Sequence, residues 1–261
     1  MNYYETLIVE VSDSGVMSIT LNRPEKKNAI NAVMWAELRD VFNELRHADA
    51  ARVVVFTGAG SGFCSGADIT GGDPTETPNP FRSTRRLTDI ALLLHGLPQP
   101  TIAKVNGVAA GAGCNLALGC DLIVASDEAR FSEIYGQRGL SPDFGGSWLL
   151  PRLVGLHKAK ELAFFADVIN ADEAQRLDIV NRVVPASELD AFVDGWATRL
   201  SQCAPIALTQ TKMLLNRSIG PSLRDALEAE GAAATINHGT ADTKEAMAAF
   251  REKRPPNFLG N

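Results

Sequence analysis

Short apolar runs recur along the first half of the chain, and two of them lead directly into a glycine-rich turn. Val53 to Phe56 precedes Gly58 to Gly66, Thr101 to Val105 precedes Gly107 to Gly113, and Leu122 to Ala125 is a third run. Strands that are apolar at successive positions, without alternation, are expected where both sheet faces are covered. Strand, turn and helix recur at an irregular period. That pattern predicts stacked β-β-α units in an α/β fold rather than one alternating sandwich.

Other elements follow from local signals. Leu7 to Val11 and Val16 to Leu21 read as strands around a Ser12 to Gly15 turn. Asn31 can cap a helix running to about Ala48, with Val33, Met34, Ala36, Leu38, Val41, Phe42 and Leu45 on its apolar side. Leu87 to Leu97 reads as helical, and Gly71 to Pro80 as a mobile loop. After Leu156 helices are expected at about 158–166, 171–178, 187–202, 205–216 and 221–250. A soft boundary falls near Ser201, giving units of 1–200 and 201–261.

Net charge is -6 and no Lys/Arg block is present, which argues against a nucleic-acid partner. The four cysteines form no CxxC pair, so a reduced, cytoplasmic chain without a metal site is expected. Met1 to Glu10 has no long apolar run, which leaves no secretory signal in view. No apolar stretch approaches the ~20 residues of a membrane helix.

Three segments can carry chemistry. Gly62 to Asp68 and Asn106 to Leu118 both place glycines after a strand. There the backbone can turn sharply or approach a ligand. In the second, a helix begins at the end of the glycine run, and its unpaired N–H groups can hold a developing oxyanion. Each reads equally as a tight packing turn. The third segment, Gly139 to Ser147, carries Asp143 between Pro142 and Phe144. Asp143 reads as a turn or helix-cap residue. Desolvation against Phe144 and Trp148 would instead raise its pKa and suit it to moving protons.

These motifs, in this order over the whole length, resemble the crotonase (enoyl-CoA hydratase/isomerase) superfamily. The resemblance is carried by Leu21 to Pro24, Asn28-Ala29, Phe63 to Ile69, Lys104 to Asp121, Gly139 to Pro151 and Ala249 to Arg254. It implies a spiral of β-β-α units over 1–200 and a C-terminal helical oligomerisation region over 201–261. It also implies an acyl-CoA thioester substrate, no separate cofactor, and a homotrimer or hexamer. By the same resemblance the backbone N–H groups of Ala67 and Ala112 would form the oxyanion hole. Ser65, Gly66, Asp68, Ile69, Gly111, Asn115 and Tyr135 would line the substrate or CoA site. Lys253 would meet CoA phosphates, often from a neighbouring subunit.

The sequence departs from the family's hydratases at their two glutamates, which fall at Asn115 and Tyr135. Asp143 matches the acid of double-bond isomerases, and Asn106 to Leu118 with Leu140 to Pro151 resemble the ring-epoxide isomerases of phenylacetate degradation. An isomerase with Asp143 as proton shuttle is therefore expected, Tyr135 packing and Asn115 supporting the helix start or a water. A hydratase that uses Asp143, alone or with Glu133, is the alternative; Glu133 would share a face with Tyr135 were the segment extended. A CoA-binding protein without catalysis is a further alternative. Dehalogenation lacks a matching His among His47, His95, His157 and His238. Gly58, Gly60 and Gly62 do not spell GxGxxG, and Ser65 is not in GxSxG, which argues against a nucleotide oxidoreductase and a serine hydrolase.

Overall fold

The computed structural model describes residues 3–48, 51–70 and 80–261, with side chains left aside at 80–83. Most of the Gly71 to Pro80 segment lies outside the described residues; Pro80 begins a helix.

Among the described residues ten strands form two sheets. The larger contains β1 (Leu7–Val11), β2 (Val16–Leu21), β3 (Val53–Gly58), β5 (Thr101–Val105), β7 (Leu122–Ser126) and β10 (Arg182–Val184), in that spatial order. The smaller contains β4 (Gly62–Cys64), β6 (Val108–Ala110), β8 (Arg130–Ser132) and β9 (Ile169–Asn170). Each turn of the spiral gives one strand to each sheet: β3 then β4, β5 then β6, β7 then β8. The expected stacked β-β-α units are present, but the two glycine-rich turns each contain a short strand.

Both faces of β3 are buried. On one side Val53 and Val55, with Ile102 and Val124, pack against Leu189, Val193 and Ala197 of α6 (Leu189–Ser201). On the other, Val54 and Phe56 join the main core with α1 (Ala32–Leu45). Two covered faces explain a strand with no polar alternation.

Helix α1 is capped by Asn31, whose side chain accepts from the Met34 N–H. Met34, Leu38, Val41, Phe42 and Leu45 are buried, a spacing that follows one helical stripe. Val33 and Ala36 fall on the outer side instead. Helix α2 (Pro80–His95) starts earlier than its apolar period suggests, and α3 (Ala112–Leu118) begins at the second glycine run. Helix α4 (Gly146–Phe165) starts well before residue 158 and is kinked at Gly155, where φ is 76°. Helix α5 (Ala171–Arg176) is followed by α6 and α7 (Pro205–Arg217).

The expected helix 221–250 is two, α8 (Leu223–Gly239) and α9 (Ala241–Glu252). Thr240 divides them: it has extended backbone and its hydroxyl accepts from the Thr243 N–H, capping α9. Arg52 ties the C-terminal part to the core, donating to the carbonyls of Ser201 and Phe258. Among the described residues no helix is long and apolar enough to cross a membrane.

Candidate active site

The C-terminal ends of three adjacent, parallel strands of the smaller sheet converge. Strand β4 pairs with β6, and β6 with β8. Their continuations carry Ala67, Ala112 and the Glu133–Tyr135 segment. A cleft of about 400 Å³ opens here, lined by Ala67, Gly111, Ala112, Tyr135 and Asp143 among others.

The first loop is fixed by a parallel bridge between Ile30 and Ala67. The Ile30 N–H donates to the Gly66 carbonyl, and the Asp68 N–H donates to the Ile30 carbonyl. The N–H of Ala67 itself is thereby turned to the opposite side. The N–H of Ala112 belongs to the first turn of α3, where an amide has no acceptor within its own helix. Gly66 makes the approach of the two loops possible. Its φ is 101°, and a Cβ there would stand 2.8 Å from the Ala110 carbonyl oxygen. Gly113 seats α3 on β4, since a Cβ there would lie 2.2 Å from the Cys64 carbonyl oxygen.

Asp68 is anchored. Its carboxylate takes Arg23 Nη1 at 2.9 Å, and its other oxygen accepts from the Thr70 N–H and hydroxyl. The Thr70 bonds first, then Arg23, pull its carboxyl down to about 2. Arg23 also donates to the Ala29 carbonyl, which holds the loop against the rest of the cleft. A carboxylate so committed is a brace and not a proton carrier.

Asp143 is the opposite case. Desolvation raises its pKa, and the Tyr135 hydroxyl, donating to Oδ1 at 2.5 Å, partly offsets this. Asn115, fully buried, donates through Nδ2 to the Tyr135 hydroxyl and to the Asp143 main-chain carbonyl, each at 3.0 Å. Burial and the Asp143 charge push the Tyr135 phenol up, so it stays a hydroxyl. Tyr135 thus does more than pack, and Asn115 organises the acid and not the helix start.

Asp143 does not cap α4 with its side chain; Gly145 is the N-cap. Phe144 adopts φ 48°, a left-handed geometry that costs about 1–2 kcal/mol outside glycine. Its ring packs on Trp35 at 5.2 Å, which offsets part of that strain. Neither Phe144 nor Trp148 lines the cleft itself. That indole stands against His95 and under the Arg152 guanidinium. A second, apolar cavity of about 340 Å³ adjoins Phe144 and Gly145, between α2 and α4.

Ser65, Gly66, Asp68 and Ile69 also line the 400 Å³ cleft. Asn115 sits behind Tyr135 and Asp143. Glu133 does not line it: the chain after β8 coils into a 3-10 turn over Ile134–Arg138, so Glu133 and Tyr135 do not share the face of a strand. Lys253 is exposed at the C-cap of α9 and is not part of the lining. The cleft's cations are Lys26 and Arg138, both missed from sequence. Lys26 follows Arg23 and Pro24 in a 3-10 turn, and its closeness to that motif was the available signal.

Residues 12–261 match the family described as enoyl-CoA hydratase/isomerase. The chain is 36% identical over 252 residues to the 1,2-epoxyphenylacetyl-CoA isomerase of Escherichia coli, covering 95% of this chain and 96% of that protein. It is 35% identical over 257 residues to the crotonyl-CoA hydratase of Syntrophomonas wolfei, covering 98% of each. A crystal structure of enoyl-CoA hydratase from Bacillus anthracis superposes with a TM-score of 0.93 at 30% identity, covering 98% of this chain and all of that one. With its two-sheet spiral and C-terminal helices, this chain belongs to the enoyl-CoA hydratase/isomerase family, within the crotonase superfamily.

Proposed function

We propose that the protein isomerises an enoyl-CoA, or a ring-modified acyl-CoA, with Asp143 as the proton shuttle. The observation that carries this reading is the state of the cleft's two carboxyls. Asp68 is locked to Arg23 and Thr70, whereas Asp143 is desolvated and faces the cleft. One basic carboxylate is enough to move a proton, while hydration calls for water to be oriented and both protonation steps served.

In this reading the thioester oxygen sits between the N–H groups of Ala67 and Ala112. The Asp143 carboxylate takes a proton from C2 of a 3-enoyl-CoA. The electron pair passes to the thioester oxygen, giving a dienolate, and the proton returns at C4. Loss of one oxyanion donor typically costs about 2.7–4 kcal/mol at the transition state. The adjoining apolar cavity gives room for the acyl end. Ser65, Gly66, Ile69 and Gly111 bind substrate, and Lys26 and Arg138 offer cations to its phosphates.

The protein would act as a homotrimer or a pair of trimers, with Lys253 reaching a neighbouring subunit's CoA. Support comes from the C-terminal helices: α7 has no buried residue, and Leu215, Leu223 and Phe250 are exposed. An acyl-CoA supplied in solution and a reduced, cytoplasmic setting complete the proposal.

The test is incubation with a 3-enoyl-CoA and, separately, a 2-enoyl-CoA in deuterated water, for wild type and Asp143→Asn. Double-bond migration with deuterium uptake that disappears in the variant supports the shuttle. Hydration of the 2-enoyl-CoA, undiminished in the variant, would make the protein a hydratase. Tight binding with neither reaction would make it a CoA-binding protein.

A further inference from the structure

Glu133 is a buried carboxyl that the proposed chemistry does not use. It is 4% exposed, and neither of its oxygens has a partner of full hydrogen-bond geometry, although the nearby Cys114 and Asn115 side chains lower its pKa somewhat. The Cys114 thiol and the Asn115 amide lie beside it. Glu133 and Cys114 both line an internal space of about 10 Å³, bounded also by Leu150, Leu162 and Ile169 and close to the minimum for one water. A bare carboxylate in such a place is costly.

The neighbouring Asn115 has the matching defect. Its Nδ2 is committed to the Asp143 carbonyl and the Tyr135 hydroxyl, which fixes which way the amide faces, because a carbonyl can only accept. Its Oδ1 is buried and lacks a donor. Two acceptor groups therefore stand together, and a proton on Glu133 gives the Asn115 oxygen the donor it lacks. Gly146 closes the far side, since a Cβ there would fall 2.4 Å from either amide atom.

Resting on the Asp143 reading, we infer that Glu133 is a positioning residue, a neutral acid whose O–H serves the Asn115 amide oxygen and so holds Nδ2 toward Tyr135 and Asp143. The titratable groups facing it are Cys114 of α3, Tyr135 of the 3-10 turn, Asp143 before α4, and Asp167 before β9. The lining of the small cavity includes no Lys or Arg. Burial, with Asp143 adding to it, raises its pKa to about 7, in keeping with this arrangement.

The test compares Glu133→Gln, which keeps an N–H donor, with Glu133→Leu, which has none. Infrared titration first reads the carboxyls without substrate. A carboxylic-acid band lost in Glu133→Gln is expected at about pH 5, converting to carboxylate by about pH 9. The Asp143 band, identified against Asp143→Asn, should titrate at higher pH in Glu133→Leu and not in Glu133→Gln. In isomerisation, Glu133→Gln should stay within about 3-fold of wild type, while Glu133→Leu loses about 10-fold in kcat with KM little changed.

An Asp143 titration unmoved by Glu133→Leu would overturn the inference. So would a Glu133→Gln variant as inactive as Asp143→Asn, which would make Glu133 a proton carrier itself. If Glu133→Leu does not fold, the Glu133→Gln spectrum and rate decide alone. Activity surviving in Asp143→Asn would instead sink the shuttle reading, while the Glu133 band and its effect on Asp143 would still be read separately.

Discussion

The Tyr135 hydroxyl donates to Oδ1 of Asp143, and the Asn115 amide donates both to that hydroxyl and to the main chain of Asp143. The acid is therefore held from two directions by neutral groups. Tyr135→Phe removes a bond that lowers the Asp143 pKa. The acidic limb of kcat/KM should move to higher pH, because a more basic Asp143 deprotonates later. A bond to a charged group contributes about 1.5–3 kcal/mol, so kcat should fall about 10–100-fold. A pH–rate profile of the variant checks both.

Asp143→Asn should bind acyl-CoA with little change and lose about 10²–10⁴-fold in proton exchange. Isothermal titration with a saturated acyl-CoA, beside the exchange assay, separates the two effects. Loss of binding as large as the loss of exchange would count against a purely chemical role.

Arg23→Met should release Asp68 and the loop that carries Ala67. KM for acyl-CoA should rise by more than kcat falls, and steady-state kinetics will show the split. Equal loss in both would indicate that the loop keeps its place without Arg23.

Glu133 sets a pH dependence of stability. Its pKa is raised from 4.5 to about 7 in the fold. The folded chain therefore holds a proton between these values that the unfolded chain has lost. The associated stability is complete below about 4.5, declines as pH rises, and is gone above about 7. Glu133→Gln, which never ionises, should flatten this slope and raise Tm at pH 8 by about 5 °C. Scanning calorimetry from acid to mild base tests the sign.

Cys64, Cys114 and Cys120 are buried, and desolvation raises all three thiols, Cys64 to about 12. Cys203 is only partly covered. A native thiol titration should show one fast group, and a denatured one four.

The large sheet was legible because its strands are long enough to show a pattern. Leu7–Val11, Val16–Leu21 and Thr101–Val105 have the bounds expected from apolar and β-branched residues. Strands β4, β6 and β8 have three residues each, and β9 two, too few for any period to register. The site was legible in its parts and not in its joins. Ala67, Ala112 and Asp143 do meet at one cleft. That Tyr135 would hold Asp143 depended on a 3-10 turn between them, and nothing local announces where such a turn points a phenol. Trp148 misled for the same reason: adjacency to Asp143 in sequence does not say which side of the α4 start it occupies.

The two loops bearing Ala67 and Ala112 hang from neighbouring strands, joined by the pairing of Cys64 with Ala109. That pairing brings the two loops out side by side at one end of the sheet. Gly66 permits their close approach, and the Arg23–Asp68 pair anchors the Ala67 loop. Cleft residues outside these two loops, Tyr135 and Asp143 among them, can therefore be exchanged without touching the strand pairing that sets the loops side by side. For directed evolution this divides the protein usefully: libraries at Tyr135, Asp143 and the α2 wall leave untouched the strand framework that carries the two loops.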